Sequence, residues 1–191
     1  MALLSAEALA AMGFASVGNN VQISDRASFY GASRIQLGSY VRIDDFCVLS
    51  AGKGGICIGS HVHLAVYSCL IGAEAITLAD FANISSRVAI YSSSDDYSGA
   101  TMTNPTVPDE FKAVEHAPVT IGRHVVIGSG SVVLPGAVIE DGVAVGALSM
   151  MRGHSAAFGI YVGVPARRLR ERSRDLLELE RRFMRTKSDA V

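Results

Sequence analysis

The residues of this chain that could do chemistry fall into a few groups. Five histidines are spread along it: His61 and His63 in H-V-H-L, His116, His124 and His154. Two pairs of adjacent acids stand out, Asp44-Asp45 and Asp95-Asp96, and arginines crowd the late stretch P-A-R-R-L-R-E-R. A histidine titrates near neutrality and can take a proton from a hydroxyl as it attacks. A carboxylate of ordinary pKa, about 4, is a poor base for an alcohol. It can still orient an amine, whose free base already carries a lone pair, and accept the proton released later. Each group also has a structural reading. Aspartates in polar loops form Asx turns, a strand histidine can face solvent, and His124 and His154 occupy corner positions. Cys47, Cys57 and Cys69 lack metal-ligand spacing and read as small buried hydrophobes.

These residues are carried by a repeat. From Val119 to Val145 an aliphatic residue returns every sixth position: Ile121, Ile127, Val133, Ile139 and Val145. A small or branched residue follows four places on, as in Val125, Ser131, Ala137, Val143 and Ser149. A period of six is neither helical nor a simple strand alternation; each hexad is a short strand plus a corner, and three hexads make one triangular solenoid turn. Earlier triplets are Val17, Ile23, Phe29; Leu37, Ile43, Leu49; Ile58, Leu64, Leu70; and Leu78, Ile84, Ile90, which with the later ones predict about six turns.

Residues 92–118 interrupt the repeat with a polar stretch holding three prolines. A loop this long in a compact domain usually has a task, and it reads as an arm over a site or a neighbouring subunit. Residues 5–12 predict a short helix capped by Ser5 and ended by Gly13, docking on the first turn. Gly163-Val164-Pro165 stops the solenoid, and residues 166–187 predict a helix with Leu169, Leu176, Leu177, Leu179 and Phe183 as its apolar positions. The expected layout is one domain of 191 residues: helix in 1–16, solenoid in 17–91 and 119–162, inserted loop in 92–118, helix in 163–191. A net charge of −1 gives no reason to expect nucleic acid as partner. No apolar run of membrane-spanning length occurs, and the N-terminal residues lack the pattern of a secretory signal, so a cytoplasmic location without membrane insertion is expected.

The hexads, the long loop after the fourth triplet and the ending I-Y-V-G-V-P-A-R-R-L-R-E-R resemble the left-handed parallel β-helix acyltransferases of the hexapeptide-repeat family. Within it they are similar to the maltose and galactoside acetyltransferase-like branch found in surface-polysaccharide synthesis. The resemblance covers about residues 17–175 and implies an all-β, left-handed parallel β-helix. It also implies a homotrimer with active sites between subunits, acetyl-CoA as co-substrate, no metal, and a sugar acceptor. Carried over by motif, Ser129 in I-G-S would sit by the pantetheine, Ala147 in V-G-A would offer it backbone groups, and Arg167 and Arg170 would approach the CoA phosphates. Relatives often show Thr-Lys where this chain has Arg152-Gly153, so Arg152 is expected to supply that lysine's charge to CoA.

The catalytic motif departs from the family pattern. Where the branch has I-Y-T-A-T-H-P, with a general-base histidine, this chain has Ile90-Tyr91-Ser92-Ser93-Ser94-Asp95-Asp96. The family's asparagine corresponds to Ala65, and the aromatic two places before it to His63. Two schemes follow. Asp95 orients an amino-sugar acceptor for N-acetylation, with Tyr91, Asp96 and Asp44 as acceptor contacts; or His63 is the base for O-acetylation, with Asp95 or Asp96 orienting it. The amine scheme, on a nucleotide-linked amino-deoxy sugar for a surface glycan, is the expectation. A zinc enzyme of the carbonic-anhydrase kind also uses this solenoid and needs three histidines around an open position; the eight-residue gap between His116 and His124 does not match its pattern. A scaffold that has lost activity is the remaining alternative, and the retained I-G-S and G-V-P-A-R segments argue against it.

Overall fold

Hexads of two outward and two inward residues cannot bury a face alone, so they coil and stack. The computed structural model describes residues 2–188 as a parallel β-helix with three faces. The first turn comprises β1 (Ser16–Val17), β2 (Gln22–Ile23) and β3 (Ser28–Tyr30), and the second β4 (Ile35–Leu37), β5 (Arg42–Ile43) and β6 (Val48–Ala51). The third holds β7 (Ile56–Ile58), β8 (His63–Leu64) and β9 (Cys69–Gly72), and the fourth β10 (Ile76–Leu78), β11 (Asn83–Ile84) and β12 (Ala89–Tyr91). The inserted loop follows, its neck formed by β13 (Ser93–Ser94) and β14 (Glu115–His116). Turns five and six are β15 (Val119–Ile121), β16 (Val126–Ile127), β17 (Val132–Val133), then β18 (Val138–Ile139), β19 (Ala144–Val145), β20 (Met150–Met151). A seventh turn begins with His154 bridged to Val138 and with β21 (Gly159–Gly163) paired on β19, so the expected six turns are complete and a partial one caps them. The first strand of every turn builds the first face, the second strand the second face and the third strand the third face.

The interior is a set of ladders. Ile43, Leu64, Ile84 and Ile127 stack in register and are fully buried. Burial of each such side chain contributes about 1.5–3 kcal/mol. The residues four places on, Ser131 and Ser149 among them, are buried too. Their hydroxyls are satisfied by backbone, Ser131 Oγ donating to the Gly146 carbonyl at 3.0 Å.

At the corner between first and second faces, Tyr40, His61, Phe81 and His124 all have φ near +60°, between +56° and +61°. A side chain in this region costs about 1–2 kcal/mol. The cost is offset because the residues recur one turn apart and stack, with ring centroids 4.7–4.9 Å apart down the column. Helix α2 (Leu176–Ser188) docks here. Phe183 meets His61 edge-on at 5.3 Å, and Glu180 accepts from His124 Nε2 at 2.7 Å and from Arg123. His61 and His124 are thus structural. The first helix, α1 (Ala6–Ala11), has the expected Ser5 cap, whose Oγ accepts from the Ala8 N–H at 3.2 Å, and the residues before it bond to the first turn through Ile23 and Ser24.

Two expectations are corrected. Residues 166–175 are not helical: after a cis Val164–Pro165 bond the chain runs back as β22 (Ala166–Glu171), antiparallel to β21, and the helix starts only at Leu176. β21 would otherwise present an open edge of unpaired backbone groups, and closing that edge outweighs the helix preference of A-R-R-L-R-E-R. The cysteines also differ. Cys47 is buried, but Cys57 is exposed and Cys69 half-buried. Strand alternation sends Cys57 outward because its neighbours Ile56 and Ile58 both point into the core.

Candidate active site

Two edges of the prism, one on each side of the third face, gather the residues singled out in the sequence. The first is the corner where β12 ends and the inserted loop departs. Its neck is tightly built. Ser93 pairs with His116 and Ser94 with Glu115, Ser93 Oγ lies 2.8 Å from His116 Nδ1 and also accepts from the Ala73 N–H, and Ser92 Oγ donates to the Glu74 carbonyl at 2.7 Å. Gly72 must be glycine here, since a β-carbon would collide with Ser92 Oγ. Immediately past the neck, Asp95 is exposed and lines a groove of about 300 Å³ with Tyr91, Ser94, Tyr97, Val132 and Leu134. Burial first, then the neighbouring Cys69, whose thiol donates to the phenol oxygen at 3.9 Å, pushes the Tyr91 hydroxyl up from its ordinary pKa. An adjoining groove of about 330 Å³ shares Ser94 and Leu134 and continues to Glu115, Pro135, Arg152 and Gly153. Tyr91, Asp95 and Arg152 therefore share one edge.

The second edge is the corner between second and third faces. Backbone hydrogen bonds from turn to turn set Asp44, Ala65, Ser85, Gly128 and Gly146 in one column. Ser86, Ser129 and Ala147 form the next, Ser129 and Ala147 lying one turn apart and both exposed. From Ala65 upward these two columns carry mostly small side chains, while beside them the same corner holds Phe46 stacked on Tyr67, Arg87 over the Tyr67 ring, and the exposed Leu148. At its upper end comes β22. A bulge at Leu169 pairs Arg167 with Val162 and Arg170 with Ile160. Val162 and Ile160 alternate with the inward Tyr161, so both arginines project from the outer side of the second face. The expected helix would have put them on one side by its pitch; the bulged strand does so instead. From β11 to β22 there are four strand spacings, about 19 Å, comparable with an extended phosphopantetheine arm.

The structure does not bring His63 to Asp95. His63 sits on the second face, whereas Asp95 lies beyond the far edge of the third. Its Nε2 donates to Asp44 Oδ2 at 2.8 Å, and Arg42 Nε donates to Asp44 Oδ1 at 2.8 Å. Partial burial alone would raise the Asp44 pKa, but these hydrogen bonds and positive charges outweigh it and hold the carboxyl below its usual value. The scheme with Asp95 or Asp96 orienting His63 within one chain is thereby replaced: Asp44 orients it. Asp96 is likewise spoken for, accepting from the Ser98 N–H, Ser98 Oγ and Thr101 Oγ1 at 2.8–3.0 Å, which ties the loop into an Asx turn rather than presenting a free acid. Arg152 is separated from Ser129 and Ala147 by the width of the third face. Among the described residues no group of three His, Cys, Asp or Glu side chains could hold a metal ion.

Ser85 and Asn83 escaped the sequence reading. Asn83 stacks directly above His63 in the second face, and Ser85 stands one turn above Ala65 at the second–third corner. The polar group missing at Ala65 is present one turn later, a signal that hexad alignment carries but motif matching passes over.

With this geometry in hand, comparison with known proteins is decisive. Residues 113–153 match the bacterial transferase hexapeptide (six repeats) family. The chain is 54% identical over 183 residues to a dTDP-4-amino-4,6-dideoxy-D-glucose acyltransferase of Escherichia coli, covering 96% of this chain and 95% of that one. The chain belongs to the hexapeptide-repeat acyltransferases. Among solved structures, this acyltransferase superposes on AntD, an N-acyltransferase from Bacillus cereus in complex with dTDP and 3-hydroxybutyryl-CoA, with a TM-score of 0.93 and 45% identity over 97% of this chain and 98% of that one. A maltose O-acetyltransferase from Clostridium difficile 630 shares the fold at 19% identity and a TM-score of 0.60, covering 87% of this chain and 74% of that one.

Proposed function

We propose that this hexapeptide-repeat acyltransferase N-acylates a nucleotide-linked amino-deoxy sugar, with acetyl-CoA as donor and a dTDP-linked 4-amino-4,6-dideoxyhexose as acceptor, for a surface glycan. The observation that carries the reading is the groove edge at Asp95. The residue where hydroxyl-acylating relatives have a histidine is here a carboxylate, placed beside Tyr91 and Tyr97, while His63 is held by Asp44 on another face and His116, at the neck, lies with Nδ1 2.8 Å from Ser93 Oγ. The relatives agree: the Escherichia coli enzyme acts on a dTDP-4-amino sugar, and AntD was crystallised with dTDP-4-amino-4,6-dideoxyglucose and coenzyme A. AntD was also crystallised as variants at one serine and at one aspartate ten positions further on, the separation of Ser85 and Asp95 in this chain.

The acyl-CoA lies along the second–third corner. Its thioester is at Ser85, its pantetheine passes Ser129 and Ala147, and its phosphates meet Arg167 and Arg170. The acceptor enters at the edge of Asp95. Two edges of one chain are a face-width apart, so a complete site needs a neighbour. The third face supplies the contact: above its polar Ser28 and Ser50, the outward positions Val48, Cys69, Ile71, Ala89, Tyr91, Val132, Leu134 and Met150 are mostly apolar, whereas the first face presents Ser16, Gln36, Cys57, Thr77, Thr120 and Val138. Packing three such faces about a threefold axis sets the Ser85 edge of one protomer against the Asp95 edge of the next, giving a homotrimer with three sites.

In the reaction the amine nitrogen attacks the thioester carbonyl carbon, its lone pair forming the C–N bond. The tetrahedral intermediate collapses with cleavage of the C–S bond, and the thiolate leaves with coenzyme A. Asp95 orients the amine and receives the proton that the nitrogen loses on forming the amide; that proton ends on the coenzyme A thiol. Incubation with acetyl-CoA and dTDP-4-amino-4,6-dideoxyglucose, followed by NMR of the product, tests the reading. An acetamide at C4 is expected, and an acetate ester or unmodified sugar would refute it.

A further inference from the structure

An acyl-CoA with its thioester at Ser85 and its phosphates at Arg167 and Arg170 uses the second–third corner only from the fourth turn up to β22. The lower turns of the same corner carry a different set of side chains. We infer that Arg87, laid on Tyr67, is the station for the diphosphate of the nucleotide-linked acceptor, and that Phe46 and Tyr67 form the wall for its nucleoside. This assignment rests on the nucleotide-sugar reading above.

Three observations lead there. First, register fixes a column on the third-face side of Ser85. The Tyr67 N–H donates to the Asp45 carbonyl, the Arg87 N–H to Val66, the Gly130 N–H to Ser86 and the Leu148 N–H to Ser129. Phe46, Tyr67, Arg87, Gly130 and Leu148 therefore hold equivalent corner positions, all with φ between +56° and +72°. Second, the lower part of this column is stacked. The Phe46 and Tyr67 rings lie 5.0 Å apart and nearly parallel, Arg26 Cζ is 5.7 Å from the Phe46 centroid, and Arg87 Cζ is 5.6 Å from that of Tyr67. Arg26 and Arg87 stand three strand spacings apart, about 14 Å. The two rings between them are still 43% and 52% exposed. Third, the charge is not neutralised. Among the described residues neither guanidinium has an ion pair or hydrogen bond, and Asp45, which precedes Phe46, accepts from Ser24 Oγ instead. A guanidinium held over a ring spends none of its N–H donors, which lie in its own plane and stay available to an anion.

The chemistry fits this order. In a 4-amino sugar nucleotide the amine and the diphosphate lie at opposite ends of one hexose ring. The amine must meet the thioester at Ser85, between it and the Asp95 edge of the next protomer. Coenzyme A fills the corner above, so the diphosphate is left the side below. Arg87 is two residues past Ser85 in the same turn and caps the ring beneath it. A guanidinium fork suits paired phosphate oxygens better than an ammonium does. Beyond the diphosphate the nucleoside continues down the corner to Tyr67 and Phe46, whose exposed rings offer apolar surface to a planar base. Arg87 then acts in binding and in setting where the amine falls, and not in the acyl transfer itself.

The test separates the substrates. Calorimetric titration with dTDP and, separately, with coenzyme A reads binding without turnover; steady-state kinetics read the two KM values. Arg87→Ala should weaken dTDP binding and raise the acceptor KM by about tenfold or more, with coenzyme A affinity and the acyl-CoA KM within about twofold of the parent. Arg87→Lys should fall between. Tyr67→Leu, a residue type this column already accepts at Leu148, should also weaken dTDP several-fold and spare coenzyme A. Unchanged dTDP affinity with a lower melting temperature would make the column a subunit contact and overturn the assignment. So would a loss confined to coenzyme A, or an equal loss of both ligands in folded Arg87→Lys. Failure of the unaltered protein to bind dTDP would instead sink the nucleotide-sugar reading, and this inference with it.

Discussion

His63 Nε2 lies 2.8 Å from Asp44 Oδ2, and the same carboxylate accepts from Arg42. The pair is an ion cluster on the second face, in which the imidazole is committed to Asp44. His63→Ala should therefore lower kcat less than about threefold, whereas Asp95→Asn should lower it about tenfold or more, the lower range of general acid–base contributions. Thiol-release kinetics on the purified variants check this; the reverse order would restore His63 as the base.

Arg167 and Arg170 share the outer side of β22, and Arg168 points the other way, paired with Glu171. Replacing Arg167 or Arg170 by alanine should raise the acyl-CoA KM several-fold each, with the acceptor KM little changed. Arg168→Ala should leave both near the parent values. Initial-rate measurements with each substrate varied in turn decide it.

Docking of α2 depends on charge. Burial would raise the Glu180 pKa, but hydrogen bonds and charge from His124 and Arg123 win and hold it below the usual glutamate value. A depressed folded pKa contributes stability that is present above that usual value and lost as pH falls through the folded value. Differential scanning calorimetry should show Glu180→Gln melting below the parent at neutral pH, with the gap closing in acid. A gap unchanged at pH values well below 4.5 would contradict the role.

The three thiols should differ sharply in reactivity. Cys57 is exposed, Cys69 is half-buried on the third face, and Cys47 is buried with its pKa pushed up to about 11, chiefly by burial. One thiol per chain should react fast with a disulfide reagent at neutral pH. Cys69 should be slower still if third faces meet in the trimer, and Cys47 should wait for unfolding. Cys57→Ser should abolish the fast phase.

Much of this was legible in the sequence. The period of six, with Ile43, Leu64, Ile84 and Ile127 as inward positions, gave the solenoid directly because side-chain volume and alternation leave one way to stack. The loop's departure after Tyr91 and the substitution of Asp95 for histidine were equally visible. What escaped depended on neighbours far apart in the chain. The strand at 166–171 forms because β21 has an open edge, which local helix propensity cannot register. The Asp44–His63 contact joins residues 19 apart, one turn of the solenoid. Arg152 and Ser129 look alike as motif positions, yet lie on opposite edges of the third face.

The most direct measurement compares two acceptors that differ at one atom. The specificity constant for thiol release from acetyl-CoA should be determined with dTDP-4-amino-4,6-dideoxyglucose and with its 4-hydroxy counterpart. Acylation assisted by a carboxylate predicts turnover of the amine and a value for the alcohol lower by about a hundredfold or more, since the alcohol lacks the base it needs. Comparable turnover of the two would contradict the account, and would require a hydroxyl-activating base in the groove beside Asp95.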